Sequence, residues 1–387
     1  MTKLEELIQK LCPNGVEHKP LNEVSEMKRG TSITKKDIVE GEIPVVSGGR
    51  EPAYYCDKYN RDGETITVAG SGAGAGYVQY WTKPIFVCDA FSIQGNPGIQ
   101  TKYIYYFLTN IQDYIYSTKK GGGVPHVHIS SIENVSVPVP PLPVQREIVR
   151  ILDNFTELTA ELTAELTAEL TARKKQYAYY RDKLLSTNNS SVPVVELRDI
   201  VKKSCSGATP AKGNAEYYEN GTIPWIRTQD VRFNEITEVN SYITEKAVSE
   251  TATKWIPENC VIVAISGATA GRCAINKIKA TTNQHCLNLI IDDSMALYRY
   301  VFHCLCSKYE ELISRKQGAR GDLNSSLILS LPIPIPSLKV QKRLVEVLDN
   351  FDAICSDLKI GLPAEIEARQ KQYEYYRDKL LTFTPAN

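Results

Sequence analysis

Residues 159–170 read TAELTAELTAEL, and this repeated tetrapeptide indicates the architecture of the whole chain. Ala, Leu and Glu favour helix, and neither Gly nor Pro occurs between Val144 and Leu185. A period of four residues nearly matches the 3.6 residues of a helical turn, so one apolar row results. That row consists of Leu158, Leu162, Leu166 and Leu170. A helix with such a face needs a partner to cover it.

The same chain encodes a partner helix. VQREIVRILDNF begins at Val144 and VQKRLVEVLDNF begins at Val340, which is 196 residues later. RKKQYAYYRDKLL begins at Arg173 and RQKQYEYYRDKLL begins at Arg369, again 196 residues apart. The leucine row therefore corresponds to a second apolar row, which consists of Ile354, Leu358, Leu362 and Ile366. We predict two long antiparallel helices that form a coiled coil.

The second helix copy differs from the first in one respect. Gly361 and Pro363 interrupt it, so we expect this helix to kink or to restart at Pro363. Each copy spans about 42 residues, which corresponds to about 63 Å of straight helix.

A β-rich region precedes each long helix, so the predicted fold is α+β with two pseudo-symmetric β-rich domains. The predicted strands are Ile43–Ser47, Thr65–Ala69, Gly76–Trp81, Ile85–Cys88, Ile223–Arg227 and Val261–Ile265. Helices are predicted at residues 4–11, Lys102–Tyr116 and Ala296–Ser314. The predicted domains are a first β-rich domain (1–138), a central helix with its linker (139–190), a second β-rich domain (191–334) and a C-terminal helix (335–387).

Composition limits the class of protein. The formal net charge is zero, which argues against nonspecific binding of polyanions but allows local basic groups to read DNA. No run of about 18 apolar residues occurs, and the first residues lack the apolar core of a signal peptide. The ten cysteines form no paired framework, so we expect a reducing, cytoplasmic location.

Together, these motifs resemble the specificity subunit of type I restriction–modification enzymes. The resemblance rests on the TAEL run, the paired LDNF segments, QYAYYRDKLL with QYEYYRDKLL, and the paired β-rich regions, and it covers the whole chain. The TAEL run is most similar to the subgroup in which repeat number sets the spacing between half-sites. The β-rich domains then correspond to target recognition domains, whose sequences vary widely.

The resemblance implies a function and a set of partners. The chain would have no catalytic site and would read a bipartite double-stranded DNA target, with one half-site for each β-rich domain. Its helices would dock two methylation subunits, which carry S-adenosylmethionine. Restriction subunits that use ATP and Mg²⁺ would join this core.

Polar and Gly-rich segments at strand ends supply candidate DNA contacts. Arg pairs with guanine, Gln and Asn pair with adenine, Lys and Arg contact phosphates, and glycine lets the backbone approach closely. The alternatives are ordinary surface polarity and plain tight turns. The candidates are Gly49, Arg50, Ser71, Gly72, Lys119, Lys120, His126, Arg227, Thr228, Gln229, Ser266, Thr269, Asn283, Gln284, Arg320 and Asn324.

Two other patterns resemble a cofactor site and a metal site, but their surroundings favour neither. GSGAGAG at residues 70–76, with Asp89 beyond it, imitates a dinucleotide fingerprint. The sequence after it is typical of strands rather than of the required helix, so we predict a hairpin turn and no bound cofactor. His126 and His128 have no Cys or third His nearby, so we predict no metal site.

Two other classes of function compete with DNA recognition. A scaffold would present the β-rich domains to proteins and use its Pro-rich segments to recruit them. A stand-alone methyltransferase would need a catalytic tetrapeptide of the NPPF or DPPY kind, and the sequence contains none.

Overall fold

A computed structural model describes residues 2–33, 39–186, 191–315, 322–356 and 361–386. The chain divides into two compact units, the first comprising residues 1–166 and 365–387 and the second comprising residues 167–364. The boundary between Leu166 and Thr167 lies inside the TAEL run, so each unit contains part of both helix copies.

The first half of the chain contains the predicted strands and ends in one long helix. The elements are α1 (Lys3–Leu11), β1 (His18–Pro20), α2 (Leu21–Val24), β2 (Ser25–Arg29), β3 (Ile43–Val46), β4 (Tyr54–Cys56), β5 (Thr65–Ala69), β6 (Val78–Trp81), β7 (Phe86–Val87), β8 (Ala90–Gly95), α3 (Thr101–Asn110), α4 (Gln112–Ser117), β9 (Ser136–Pro138) and α5 (Leu142–Leu184).

The second half repeats this order with additional strands. The elements are β10 (Val194–Glu196), β11 (Val201–Ser206), β12 (Ile223–Ile226), β13 (Asn234–Ile236), β14 (Tyr242–Ile243), α6 (Glu245–Glu250), β15 (Trp255–Ile256), β16 (Val261–Ala264), β17 (Cys273–Asn276), β18 (Ala280–Thr282), β19 (Cys286–Ile291), α7 (Tyr298–Ser307), α8 (Tyr309–Ser314), α9 (Ser325–Leu329), β20 (Pro332–Pro334), α10 (Leu338–Ser356) and α11 (Leu362–Leu381).

The sheets of the two units share a central pattern. In the first unit, strands follow the orders β2-β8-β5-β6, β4-β3-β7 and β1-β9. In the second unit, the orders are β11-β19-β16-β17-β13, β14-β12-β18-β15 and β10-β20. A buried strand (β5 or β16) therefore pairs antiparallel with its two neighbours in both units.

The predicted α+β architecture with a long helix between two β-rich domains is confirmed. α5 agrees with the predicted first helix to within two residues at its start and one at its end. The expected interruption of the second copy is also confirmed, since α11 begins at Leu362 and carries Pro363 in its first turn.

The helices predicted at Lys102–Tyr116 and Ala296–Ser314 are wrong as single helices. Each is broken near its middle, at Ile111 between α3 and α4 and at Lys308 between α7 and α8. Neither break contains Gly or Pro. Instead, the next residue makes tertiary contacts: Gln112 donates to the Gly76 carbonyl at 2.8 Å, and the equivalent Tyr309 packs edge-on against Phe233.

The main hydrophobic core of each unit combines a β-rich domain with both helix copies. The first core includes Leu152 from α5 and Leu381 from α11. The second core includes Leu348 from α10 and Leu185, the residue after α5. These pairs are equivalent under the 196-residue repeat, so the duplicated LDNF and RDKLL segments complete corresponding cores.

Buried glutamines join each β-rich domain to its long helix. Gln341 is fully buried, and its Oε1 accepts the Leu297 N–H at 2.9 Å while its Nε2 donates to the carbonyls of Met295 and Pro336. Gln145 makes the equivalent bonds in the first unit, accepting from Gln100 at 2.9 Å. The repeated VQ dipeptide therefore supplies a hydrogen-bonded joint.

An aspartate that occurs in both helix copies reinforces each joint. Asp153 accepts from the Tyr106 hydroxyl at 2.5 Å and pairs with Lys102 at 2.8 Å. Asp349, its equivalent, lies 2.7 Å from His303 Nε2 and pairs with Arg299 at 2.8 Å. Burial alone raises the pKa of Asp349, but the hydrogen bonds from His303 and Arg299 outweigh burial and lower this pKa below its ordinary value.

Replacement of Gln341 by Ala is expected to lower the free energy of unfolding by about 3 kcal/mol, because buried backbone groups lose their partners. Lys342→Ala is a matched control on the same helix, where the side chain is exposed, and should change stability by less than about 0.5 kcal/mol. Denaturant unfolding measures both effects. Equal stability of Gln341→Ala and wild type would contradict the role of the joint.

Residues of α11 and of the segment after it complete the first unit. The Val16 N–H donates to the Thr384 carbonyl at 2.9 Å, and the Ala386 N–H donates to the Val16 carbonyl at 3.0 Å. Arg377 of α11 donates to Asn110 of α3 at 3.0 Å. The first 166 residues therefore do not form this unit alone.

The predicted apolar rows differ in exposure along the chain. Leu166 is 8% exposed, whereas Leu158 is 60% exposed and Ile354 is 48% exposed. Leu162, Leu170, Leu362 and Ile366 have intermediate exposure. Leu358 lies outside the described residues. In the described part of the chain, no helix is both long and apolar enough to cross a membrane.

Candidate nucleic-acid interface

The candidate contacts of the first unit gather at the end of β5. We call residues 47–50, 70–76, 89 and 119–128 the first loop cluster. The Gly70 N–H donates to the Asp89 carbonyl, and the Val127 N–H donates to the Gly70 carbonyl, both at 3.0 Å. The turn after β5 therefore contacts both the residue before β8 and the loop of residues 119–128.

Glycine allows a third loop to join this cluster. A Cβ added to Gly48 would lie 2.2 Å from the Ser71 carbonyl oxygen, and a Cβ added to Gly74 would lie 2.4 Å from the Gly48 carbonyl oxygen. No side chain fits at such distances, so only glycine permits this approach. The structure thus brings together the predicted residues Gly49, Arg50, Ser71 and Gly72.

Cations of the first loop cluster are oriented by aromatic rings. The Arg50 guanidinium lies 5.0 Å from the Tyr77 ring centre, and Lys119 Nζ lies 4.2 Å from that of Tyr116. Among the residues described, neither cation nor Lys120 forms an ion pair. Their charge is therefore available to phosphates.

His126 is held in place by the loop of residues 119–128. Its N–H donates to the Lys120 carbonyl at 2.8 Å, and its ring stacks on that of His128 with centres 6.0 Å apart. Across the described ranges, no group of three or more His, Cys, Asp or Glu side chains could hold a metal ion.

The hairpin prediction for residues 70–76 is confirmed. These residues connect β5 to β6, where a dinucleotide-binding fold would have a helix. Gly72 and Gly76 have φ values of 79° and 83°, which residues with a Cβ rarely adopt.

The second unit repeats this framework with other side chains. We call residues 227–230, 265–271, 283–285 and 322–324 the second loop cluster. The Ile265 N–H donates to the His285 carbonyl at 2.9 Å, and the Leu323 N–H donates to the Ile265 carbonyl at 2.8 Å. Thr269 Oγ1 donates to the Thr228 carbonyl at 2.8 Å, which joins two of the loops.

A cleft of about 600 Å³ opens in the second loop cluster. It brings the predicted residues Arg227, Asn283 and Gln284 together. Other lining residues include His285, which the sequence placed beside Asn283 and Gln284, and Thr209, Tyr218 and Tyr242, which no sequence pattern indicated. Because these residues come from separate segments, only the folded chain places them side by side.

Polar groups in the cleft are partly committed to each other. Gln284 accepts from Thr209, and its Nε2 lies 3.2 Å from His285 Nε2. Asn283 Oδ1 accepts the His285 N–H at 3.1 Å. Arg227 Nε is buried and has no hydrogen-bond partner among the described residues.

Some candidates lie in this region without joining the cleft. Asn324 Oδ1 accepts the Leu327 N–H at 2.8 Å and caps α9, which gives this residue a structural role. Gln229 is exposed, and its carbonyl accepts from Arg232 at 2.6 Å. Ser266 lies in the turn with Thr269. Arg320 lies outside the described residues.

Sequence comparison relates this chain to a family of DNA specificity proteins. The family model described as "Type I restriction modification DNA specificity domain" matches residues 13–172 and 189–368. The Escherichia coli type I restriction enzyme EcoR124I/EcoR124II specificity subunit is 39% identical, over 73% of this chain and 70% of that protein. A putative type I restriction enzyme specificity subunit of Haemophilus influenzae is 30% identical over 99% of both chains.

Solved structures share the fold at low sequence identity. A chain from a study of complex assembly and conformational transition of the type I R-M system aligns with a TM-score of 0.70 and 16% identity, covering 95% of this chain and 98% of that one. The HsdS subunit from Thermoanaerobacter tengcongensis aligns with a TM-score of 0.54 and 17% identity, covering 96% and 97%.

Proposed function

The chain belongs to the type I restriction–modification DNA specificity family, and from this membership we propose that each β-rich domain reads one half-site of a bipartite DNA target. The chain is the non-catalytic specificity subunit of a restriction–modification complex. It binds double-stranded DNA and associates with methylation and restriction subunits.

One observation carries the assignment of one half-site to each domain. The two loop clusters share backbone hydrogen bonds at equivalent positions, from Ile265 to His285 as from Gly70 to Asp89. The side chains that these frameworks carry differ. A common framework with different side chains suits two readers that dock alike and recognise different bases.

Candidate DNA contacts divide by chemistry. Arg50, Arg227, Gln229, Asn283 and Gln284 supply base-edge donors and acceptors. We assign contacts with the DNA backbone and its phosphates to Gly49, Ser71, Gly72, Lys119, Lys120, His126, Thr228, Ser266, Thr269, Arg320 and Asn324.

We assign the spacing between readers to the helices. The proposed coiled-coil positions are Leu158, Leu162, Leu166, Leu170, Ile354, Leu358, Leu362 and Ile366. Residues 1–138 and 191–334 would act as target recognition domains, with 139–190 and 335–387 as the spacer helices.

The complex supplies the chemistry that the chain lacks. We propose two methylation subunits, with S-adenosylmethionine, and restriction subunits that use ATP and Mg²⁺. All ten cysteines are free thiols, which agrees with the reducing cytoplasm that we propose as the location.

Comparison of methylated genomic motifs in cells with and without this chain tests the function. A bipartite motif that requires the chain supports it. Loss of the chain without change in methylation would favour a scaffold that binds proteins.

The isolated chain is expected to be catalytically silent. Purified protein should neither retain S-adenosylmethionine nor transfer methyl groups to DNA, because its Gly-rich turn leads into a strand. Equilibrium dialysis with labelled S-adenosylmethionine and a methyl-transfer assay measure both activities. The reconstituted complex is the positive control, and methyl transfer by the isolated chain would refute this expectation.

A further inference from the structure

Asp89 lies in the first loop cluster, directly before β8. Its carbonyl accepts the Gly70 N–H at 3.0 Å, and its Oδ2 accepts a hydrogen bond from the Ser71 hydroxyl. The side chain is exposed. Ser71 therefore orients a carboxylate whose Oδ1 is left to accept another donor.

His285 is the equivalent residue in the second unit. Asp89 and His285 are 196 residues apart, as are the helix copies. Each offers its carbonyl to the first residue of the turn that follows β5 or β16. His285 is exposed as well. Two equivalent surface positions thus present groups of different hydrogen-bonding character.

A carboxylate on a surface that approaches DNA weakens the binding of that DNA. Phosphates repel it, and among the described residues Asp89 has no ion pair to neutralise its charge. The repulsion is offset when the oxygen accepts a hydrogen bond from a donor on the DNA. Exocyclic amino groups of bases are such donors in the major groove.

The available acceptor distinguishes between the bases. Cytosine presents only its N4 amino donor in the major groove, whereas adenine places the N7 acceptor beside its N6 donor. Guanine and thymine present acceptors there. A lone carboxylate oxygen therefore fits cytosine best, because adenine N7 would repel it.

We propose that Asp89 and His285 are corresponding base-reading residues, and that Asp89 selects cytosine in the first half-site through its N4 amino group. This proposal rests on the proposed function and adds the base class. His285 brings an imidazole to the equivalent place, so the second half-site has a different requirement there.

Competition binding by the full chain with its methylation subunits tests the proposal. The duplexes carry the methylated motif with each first-half position substituted in turn. Wild type should lose about tenfold in affinity when one cytosine is replaced. In Asp89→Ala, which removes the acceptor oxygens, that loss should fall to about twofold or less, while discrimination elsewhere in the motif remains.

Asp62→Ala is the matched control. Asp62 is also an exposed turn carboxylate, but its Oδ1 accepts from Gly63 at 2.7 Å at the opposite end of β5. It has the same charge change and should keep the wild-type pattern. Retention of the full cytosine requirement in Asp89→Ala overturns the proposal, as does a first half-site that requires no cytosine.

Modified DNA keeps the test decisive if the variant fails to fold. N4-methylcytosine still pairs with guanine but replaces the groove-facing amino hydrogen by methyl. Wild type should bind such a duplex about tenfold more weakly, and full affinity for it overturns the proposal. Equal binding of every duplex by wild type would instead mean that the proposed function itself fails.

Discussion

Deletion of Thr163–Leu166 is expected to shorten the gap between the two half-sites by one base pair and to leave both half-sites unchanged. One tetrad removes about 6 Å of helix and rotates the later residues of the helix by about 40°. A base-pair step rises about 3.4 Å and turns by a similar angle, given 10–10.5 base pairs per turn. The rotation match favours a single base pair, since each reader must stay aligned with its groove.

The position of the deleted repeat in the fold makes this deletion suitable for testing the spacing. α5 runs through the boundary between the two units, and the TAEL run contains that boundary. Removal of one whole repeat preserves the row that includes Leu158, Leu162 and Leu170. Sequencing of methylated motifs from cells that carry wild type or the variant measures the gap, and an unchanged gap would show that this helix is not the ruler.

A shorter deletion is the control. Loss of Thr163 and Ala164 alone rotates the remaining helix by about 200°, which turns the apolar row away from its partner. This variant should unfold at lower temperature and methylate nothing. The four-residue deletion should unfold near the wild-type temperature.

Exchange of residues 191–334 for the second reader of another family member is expected to replace one half-site completely and leave the other intact. The cores of the two β-rich domains are separate, and the exchanged segment keeps its contacts with the retained Leu185 and Leu348. Methylated motifs again provide the measurement.

The exchange needs a compatible joint. The second reader taken from the other family member should keep residues that pair with Asp349, as Arg299 and His303 do in this chain. A matched exchange of residues 1–138 should alter only the other half-site. Alteration of both half-sites by either exchange would exclude independent readers.

Periodicity predicted the long helix α5 well, but it did not predict where tertiary contacts break other helices. The 196-residue repeat and the absence of Gly and Pro placed α5 nearly to its ends. Periodicity did not predict the break at Ile111, because the side chain of Gln112, the first residue of α4, bonds the distant Gly76 carbonyl and Val78 N–H. Strand β8 was also missed, although Phe91 to Gln94 alternate between apolar and polar residues.

For the candidate site, the sequence identified loops but not their meeting point. Gly49 and Ser71 were predicted from separate turns, and the close approach of Gly48 to Ser71 appears only in the fold. Asp89 lacked any local pattern beyond an apparent cofactor motif. Its position depends on a backbone hydrogen bond to Gly70 across the sheet.

The order of synthesis imposes a requirement on the first unit. The ribosome completes residues 167–364 before it makes 365–387, although the first unit includes the latter together with residues 1–166. Until α11 emerges from the ribosome, the core of the first unit lacks Leu381, and the Val16 N–H lacks its acceptor, the Thr384 carbonyl. The nascent chain therefore carries its N-terminal domain unfinished while the later domain folds, and a stop codon after residue 364 would leave the earlier domain exposed to chaperones and proteases.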